Sequence, residues 1–219
     1  DDFSAEKYFG LFQRQLFRNS RLFMDINRLI ESFLKFPGIG PRQAKRFVYF
    51  LAGESKEYVD NLAKLISEVK SGMKQCGSCF RYFESKNVEI DLCPVCAGSS
   101  RDSSVIMLVE KDVDLENIER TGNFRGKYFV LGGLLSLSGN EKTEVRLRQL
   151  FDKIKKETPK EIILATSATL EGENTNLYIE RILEPLKVKI SRLGRGLSTG
   201  AELEYSDSET IENALKNRQ

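Results

Sequence analysis

The chain has 219 residues, with 34 Lys and Arg against 32 Asp and Glu (net charge +2), 40% hydrophobic and 30% charged. This length and balance give one or two folded domains with a sizeable core, and exclude a disordered, collagen-like or coiled-coil chain. There is no His, which removes imidazole catalysis and His metal ligands, and no run approaches the roughly 20 apolar residues of a membrane helix.

Residues 1–24 are rich in Phe and Arg, and their apolar side chains have no evident partner. They read either as an extension or as an N-terminal helix, and no function is assigned to them. They lack the apolar core of a secretory signal, so nothing directs export. Residues 25–75 read as helical and hold a local excess of base, nine basic residues against six acidic. Ile26, Leu29, Ile30, Phe33 and Leu34 recur at helical spacing, with Asp25 as a cap and Pro37 as a stop. Pro41 suits the first turn of a second helix carrying Ala44, Phe47, Val48 and Leu51. A third helix carries Leu62, Leu65, Ile66, Val69 and Met73 on one stripe.

After the cysteine-bearing segment 76–104 the rhythm changes. Val105–Val109, Tyr128–Leu131 and Ile162–Ala165 are continuous apolar runs, as strands buried on both faces would be, and Val188–Ile190 is a weaker fourth. Helical patterns lie between them. Val145, Leu147, Leu150, Phe151 and Ile154 form the most regular set, residues 173–184 form another, and 208–217 a last short helix. Strands alternating with helices predict a parallel α/β sheet. The 105–184 stretch carries a net charge of −2, so the basic and acidic halves are expected to do different work.

Three groups of residues carry chemistry. Cys76-Gly-Ser-Cys79 and Cys93-Pro-Val-Cys96 are two Cys-x-x-Cys pairs that use every cysteine in the chain. Each pair can place two thiolates on one tetrahedral ion, so the spacing predicts a structural zinc with a closed shell. The other reading is two disulfides or four unrelated thiols, and disulfides need an oxidising compartment.

The second group is Phe36-Pro-Gly-Ile-Gly-Pro-Arg-Gln-Ala-Lys-Arg46 between two predicted helices. Gly38 and Gly40 make a hairpin that bares backbone N–H groups at the start of the next helix, where an anion is favoured. Arg42, Lys45 and Arg46 add charge there, which predicts a grip on the DNA backbone without base reading.

The third is Glu110, at the end of the first α/β strand, where open sheets place their sites; the other reading, which spacing alone favours, is a helix-capping or surface acid. A metal-dependent nuclease would want further carboxylates on a later strand end, but Ala165-Thr-Ser-Ala-Thr169 supplies hydroxyls. Glu171 and Glu173 follow on the next turn or helix. Gly122–Tyr128 superficially has P-loop residues, but it is one residue short, Tyr128 stands for the Ser/Thr, and a strand follows.

From about Asp25 to Arg218 the chain resembles the RecR family of bacterial recombination mediators. The resemblance rests on Phe36–Pro41, the four cysteines, Thr121–Leu131, Ile163–Thr166 with Glu171-Gly-Glu173, and Arg195–Glu204. It implies an α/β multidomain architecture. A helix-hairpin-helix region (25–75) is followed by a four-cysteine zinc finger (76–104), a Toprim-like parallel α/β domain (105–184) and a C-terminal strand and helix region (185–219). It further implies a non-enzymatic, cytoplasmic DNA-repair protein that binds single- and double-stranded DNA. Such a protein acts with RecO and RecF to help load RecA onto single-stranded DNA covered by single-strand-binding protein, and assembles as a tetrameric ring or a dimer. By the same resemblance Arg42 and Arg46 contact DNA, and Glu110 is the Toprim acid, used for partner contact. The alternative is a Toprim-type nuclease or topoisomerase-like enzyme. Relatives commonly carry Asn-Pro before the Thr where this chain has Ser167-Ala168-Thr169, a further step away from a metal site.

Overall fold

The computed structural model describes residues 26–218 apart from 86, 88, 136–140, 195, 198, 199 and 201. The expectations for residues 1–24, for a cap at Asp25 and for Arg195, Ser198, Thr199 and Ala201 lie outside the described residues. The chain divides into two compact units, Asp1–Lys70 and Ser71–Gln219. No helix among the described residues is long and apolar enough to cross a membrane.

In the first unit, helix α1 covers residues 26–34, α2 Pro41–Gly53, and α3 begins at Lys56 and runs to Gly72. Pro37 lies in the turn between α1 and α2. Pro41 opens α2, where its missing N–H costs nothing and its fixed φ suits the helix. Ala44 and Val48, four apart on one face of α2, are the buried pair among the described residues of the unit. Phe33 of α1 meets the edge of Phe47 with ring centroids 5.6 Å apart. The stripe of α3 is largely uncovered, with Leu65, Ile66 and Val69 48–63% exposed. Met73 leaves that stripe to begin a strand.

The second unit opens with an antiparallel pair, β1 (Met73–Gln75) and β2 (Tyr82–Glu84), bracketing the first cysteine pair. The single turn α4 (Pro94–Ala97) carries the second pair. Then come β3 (Asp102–Val109), α5 (Asp112–Arg120), β4 (Gly126–Val130), α6 (Glu141–Glu157), β5 (Glu161–Ala165), α7 (Leu170–Leu183), β6 (Lys189–Arg192) and α8 (Ser208–Lys216). The four longer strands form one parallel sheet in the order β4-β3-β5-β6. Alternation along β3 splits the core. Ile106 and Leu108 face Leu147, Leu150 and Ile154 of α6 and Ile179 and Leu183 of α7. Met107 and Val109 face Leu115 of α5, Tyr128 and the four cysteines. The parallel α/β sheet is therefore as predicted, with four details corrected. β3 starts at Asp102 rather than Val105, because Lys160 and Arg125 extend the pairing through Lys160 N–H to Ser104 O and Asp102 N–H to Arg125 O. α7 starts at Leu170 rather than 173, because Thr169 caps it by accepting from the Gly172 N–H at 3.2 Å. β6 is Lys189–Arg192 rather than 188–190. Val145 is 51% exposed, and Arg146 takes its place on the buried face of α6.

Candidate DNA interface and metal centre

The hairpin between α1 and α2 is built by turns and one left-handed residue. Phe36 N–H donates to Phe33 O and Ile39 N–H to Phe36 O. Gly38 sits at φ 76, a conformation that a side chain resists. Gly40 is extended and its carbonyl accepts the first helical bond, from Ala44 N–H at 3.0 Å. Because Ala44 and Val48 turn inward, Arg42, Lys45 and Arg46 all point outward and are exposed. The geometry therefore brings the predicted residues together: a glycine turn, the N-terminal end of α2, and three cations on its first two turns.

In the second unit the four cysteines converge. Their sulfurs lie within 4.8 Å of one another, and each is buried. All four are free thiols, and Cys79 and Cys93 Sγ are 3.6 Å apart, far beyond the roughly 2.05 Å of a disulfide. A tetrahedron with metal–sulfur bonds of about 2.3 Å has edges near 3.8 Å, so the cluster has the size of a tetrathiolate shell. The backbone supports thiolates. Cys93 N–H donates to Cys76 Sγ at 3.3 Å, and Arg81 N–H donates to Cys79 Sγ. Hydrogen bonds from Cys79, Cys93 and Cys96 push the Cys76 thiol far below the ordinary range. The same bond to Cys76 pushes the Cys79 thiol up. The four residues can hold a metal ion, and the disulfide reading falls.

The knuckle is fastened to the sheet at several points. Cys79 O accepts from Val130 N–H at 2.8 Å, which covers part of the edge strand β4. Tyr82 N–H donates to Asp112 Oδ1 at 2.7 Å. Below it, Arg101 makes a bidentate pair with Glu119, and Tyr128 Oη donates to Glu119 Oε1 at 2.7 Å. Spacing gave no hint of this triad, because its members come from a loop, α5 and β4.

Glu110 lies just past β3, 7% exposed. Lys111 Nζ reaches its Oε1 at 2.6 Å and Ser167 Oγ donates to its Oε2 at 2.8 Å. Burial opposes its charge, but these two hydrogen bonds outweigh it and hold the carboxyl below the usual range. Glu173, in the first turn of α7, is turned away to Arg192 at 2.6 Å. Among the described residues, the four cysteines are the only close group of three or more metal-ligating side chains.

Family models match three stretches of the chain. Residues 26–70 match the family described as RecR, helix-hairpin-helix, residues 104–194 the Toprim domain, and residues 196–219 RecR, C-terminal. The Recombination protein RecR of Dehalococcoides mccartyi (strain ATCC BAA-2266 / KCTC 15142 / 195) is 38% identical over 195 residues, spanning 89% of this chain and 93% of its own. That of Roseiflexus sp. (strain RS-1) is 39% identical over 192 residues, 87% and 91% of the two chains. That of Chloroflexus aggregans (strain MD-66 / DSM 9485) is 40% identical over 195 residues, 88% and 92%. A helical unit with a glycine hairpin, a four-cysteine knuckle and a parallel Toprim sheet, matched along nearly the whole length of these relatives, places this chain in the RecR family.

Proposed function

We propose that the chain is a non-catalytic DNA-binding recombination mediator that acts in DNA repair. The observation that carries this reading is the outward set Arg42, Lys45 and Arg46 on the first two turns of α2, beside the Gly38–Gly40 turn. Backbone N–H groups at a helix start and long cationic side chains next to them fit phosphates and read no bases. Binding is thus expected to single- and double-stranded DNA alike.

The four cysteines hold one structural zinc ion in this reading. A closed thiolate shell leaves no position for a substrate, and nothing in the chain supplies a His. Glu110, neutralised by Lys111 and tied to Ser167, serves as a contact for a partner protein rather than as a metal ligand. Its position past the end of β3 is what the competing nuclease reading would use.

The partners are RecO and RecF, and the activity is help in loading RecA onto single-stranded DNA covered by single-strand-binding protein. A ring or dimer of this chain is supported by the uncovered apolar side chains of the first unit, among them Phe50, Ile66 and Val69 at 53–63% exposure. A reconstituted assay tests the reading. With RecO and RecF present, adding this chain should speed RecA assembly on covered single-stranded DNA. No change in that rate overturns the loading role.

A further inference from the structure

Arg146 is a cation in an unusual place. It stands on the buried face of α6, 7% exposed, with its guanidinium carbon 3.7 Å from the centroid of the Phe80 ring. Its hydrogen bond goes to a neutral acceptor, Gln149 Oε1, at 2.9 Å. Among the described residues no carboxylate lies within ion-pair distance of it, and Asp112 acts on it only from farther off. A buried guanidinium normally has an acid, because stacking on one ring offsets only part of what its desolvation costs.

Phe80 is the residue directly after Cys79, held at φ 66. Farther along α6, Lys153 donates to Ser78 Oγ at 2.9 Å, between Cys76 and Cys79. Lys153 has its own acid, Glu157 at 2.7 Å, and Arg81 has Glu116 at 3.7 Å. Unlike Lys153 and Arg81, Arg146 forms no ion pair among the described residues. Four thiolates around a divalent ion carry a net charge of −2, and backbone N–H groups compensate it only in part. The ring that carries the guanidinium therefore belongs to the residue that directly follows one of the four cysteines.

We propose that Arg146 is the counter-charge of the metal–thiolate centre, a positioning residue through which metal occupancy and the seating of α6 favour each other. With metal bound, the dianionic shell holds the guanidinium on Phe80. With neutral thiols, the same guanidinium is a buried charge without an ion-pair partner. By linkage the coupling is reciprocal, so removing the charge must weaken the metal.

The proposal rests on the reading that the four cysteines hold a metal ion. Its test uses the full chain and zinc, competed with the chromogenic chelator 4-(2-pyridylazo)resorcinol, with folding followed by circular dichroism. Arg146→Met is expected to bind zinc at least about tenfold more weakly, the scale seen when residues supporting metal ligands are removed. Arg146→Lys, which keeps the charge, should stay close to wild type. If Arg146→Met does not fold, Arg146→Gln is read in its place. A smaller loss in the neutral variant, or an equal loss in Arg146→Lys, overturns the proposal alone. A wild-type chain that takes up no zinc overturns the metal reading and the proposal with it.

Discussion

Ser167 donates its hydroxyl to Glu110 at 2.8 Å and so joins the loop after β5 to the end of β3. The Glu110 carboxylate is thus engaged by a hydroxyl and by the Lys111 ammonium. Glu110→Gln should therefore leave DNA affinity within about twofold of wild type, and DNA incubated with either protein and Mg²⁺ or Mn²⁺ should stay intact. Cleavage by the wild type that disappears in Glu110→Gln would restore the nuclease reading.

Gly172 is the second device at that loop. A Cβ there would run into the carbonyl oxygen of Ser167, a backbone atom that cannot swing aside. Gly172→Ala should lower stability by about 1–3 kcal/mol, as overpacking does, and shift the urea midpoint accordingly. An unchanged midpoint would mean that α7 starts farther from the loop.

Removing the metal should unseat the knuckle. Cys93→Ser leaves three thiolates, so the chain should lose its zinc and the contacts that the knuckle makes with β4 and α5. Structural zinc in small modules is worth about 10–16 kcal/mol of folding free energy, far more than the knuckle's few hydrogen bonds can replace. Metal analysis and proteolysis between residues 76 and 104 check this. A Cys93→Ser chain with one tightly held zinc would contradict it.

The Arg101–Glu119–Tyr128 triad makes an acid-side prediction. Hydrogen bonds from Arg101 hold the Glu119 carboxyl below its ordinary value. The unfolded chain therefore binds more protons than the folded one between the two values, and stability rises with pH there. The contribution is complete above the unfolded value of about 4.3 and is lost as pH falls through the lower folded one. Arg101→Ala should cost about 2 kcal/mol at neutral pH, the scale of hydrogen bonds to charged groups, and should flatten this acid limb. Urea unfolding at several pH values measures both.

How far the residues announced the structure depends on the range of the interactions. The four cysteines and the Gly38–Gly40 hairpin were legible because each is a local spacing. The parallel sheet was legible because its central strands are continuous apolar runs. What escaped were cross-chain relationships. Val145 fits the apolar period of α6, yet Arg146 is the residue buried beside it, because Phe80 waits there and no spacing links residues 66 positions apart. The Ala165–Thr169 stretch announces hydroxyls, but no spacing tells that the fold brings Glu110 to Ser167 across 57 positions. The start of α7 was misplaced because Leu170–Gly172 carries no helical period, and Thr169 supplies the cap instead.

The central claim is that the α2 hairpin grips the DNA backbone. The most direct measurement is the affinity of the zinc-replete chain for single- and double-stranded DNA across a salt series, with Arg42→Glu/Arg46→Glu alongside. Both residues are exposed, so the double variant should fold normally. The account predicts wild-type binding that is indifferent to base sequence and falls steeply with salt as counterions compete for phosphates, and its loss in the variant. A folded variant that binds DNA as tightly as wild type would contradict the account.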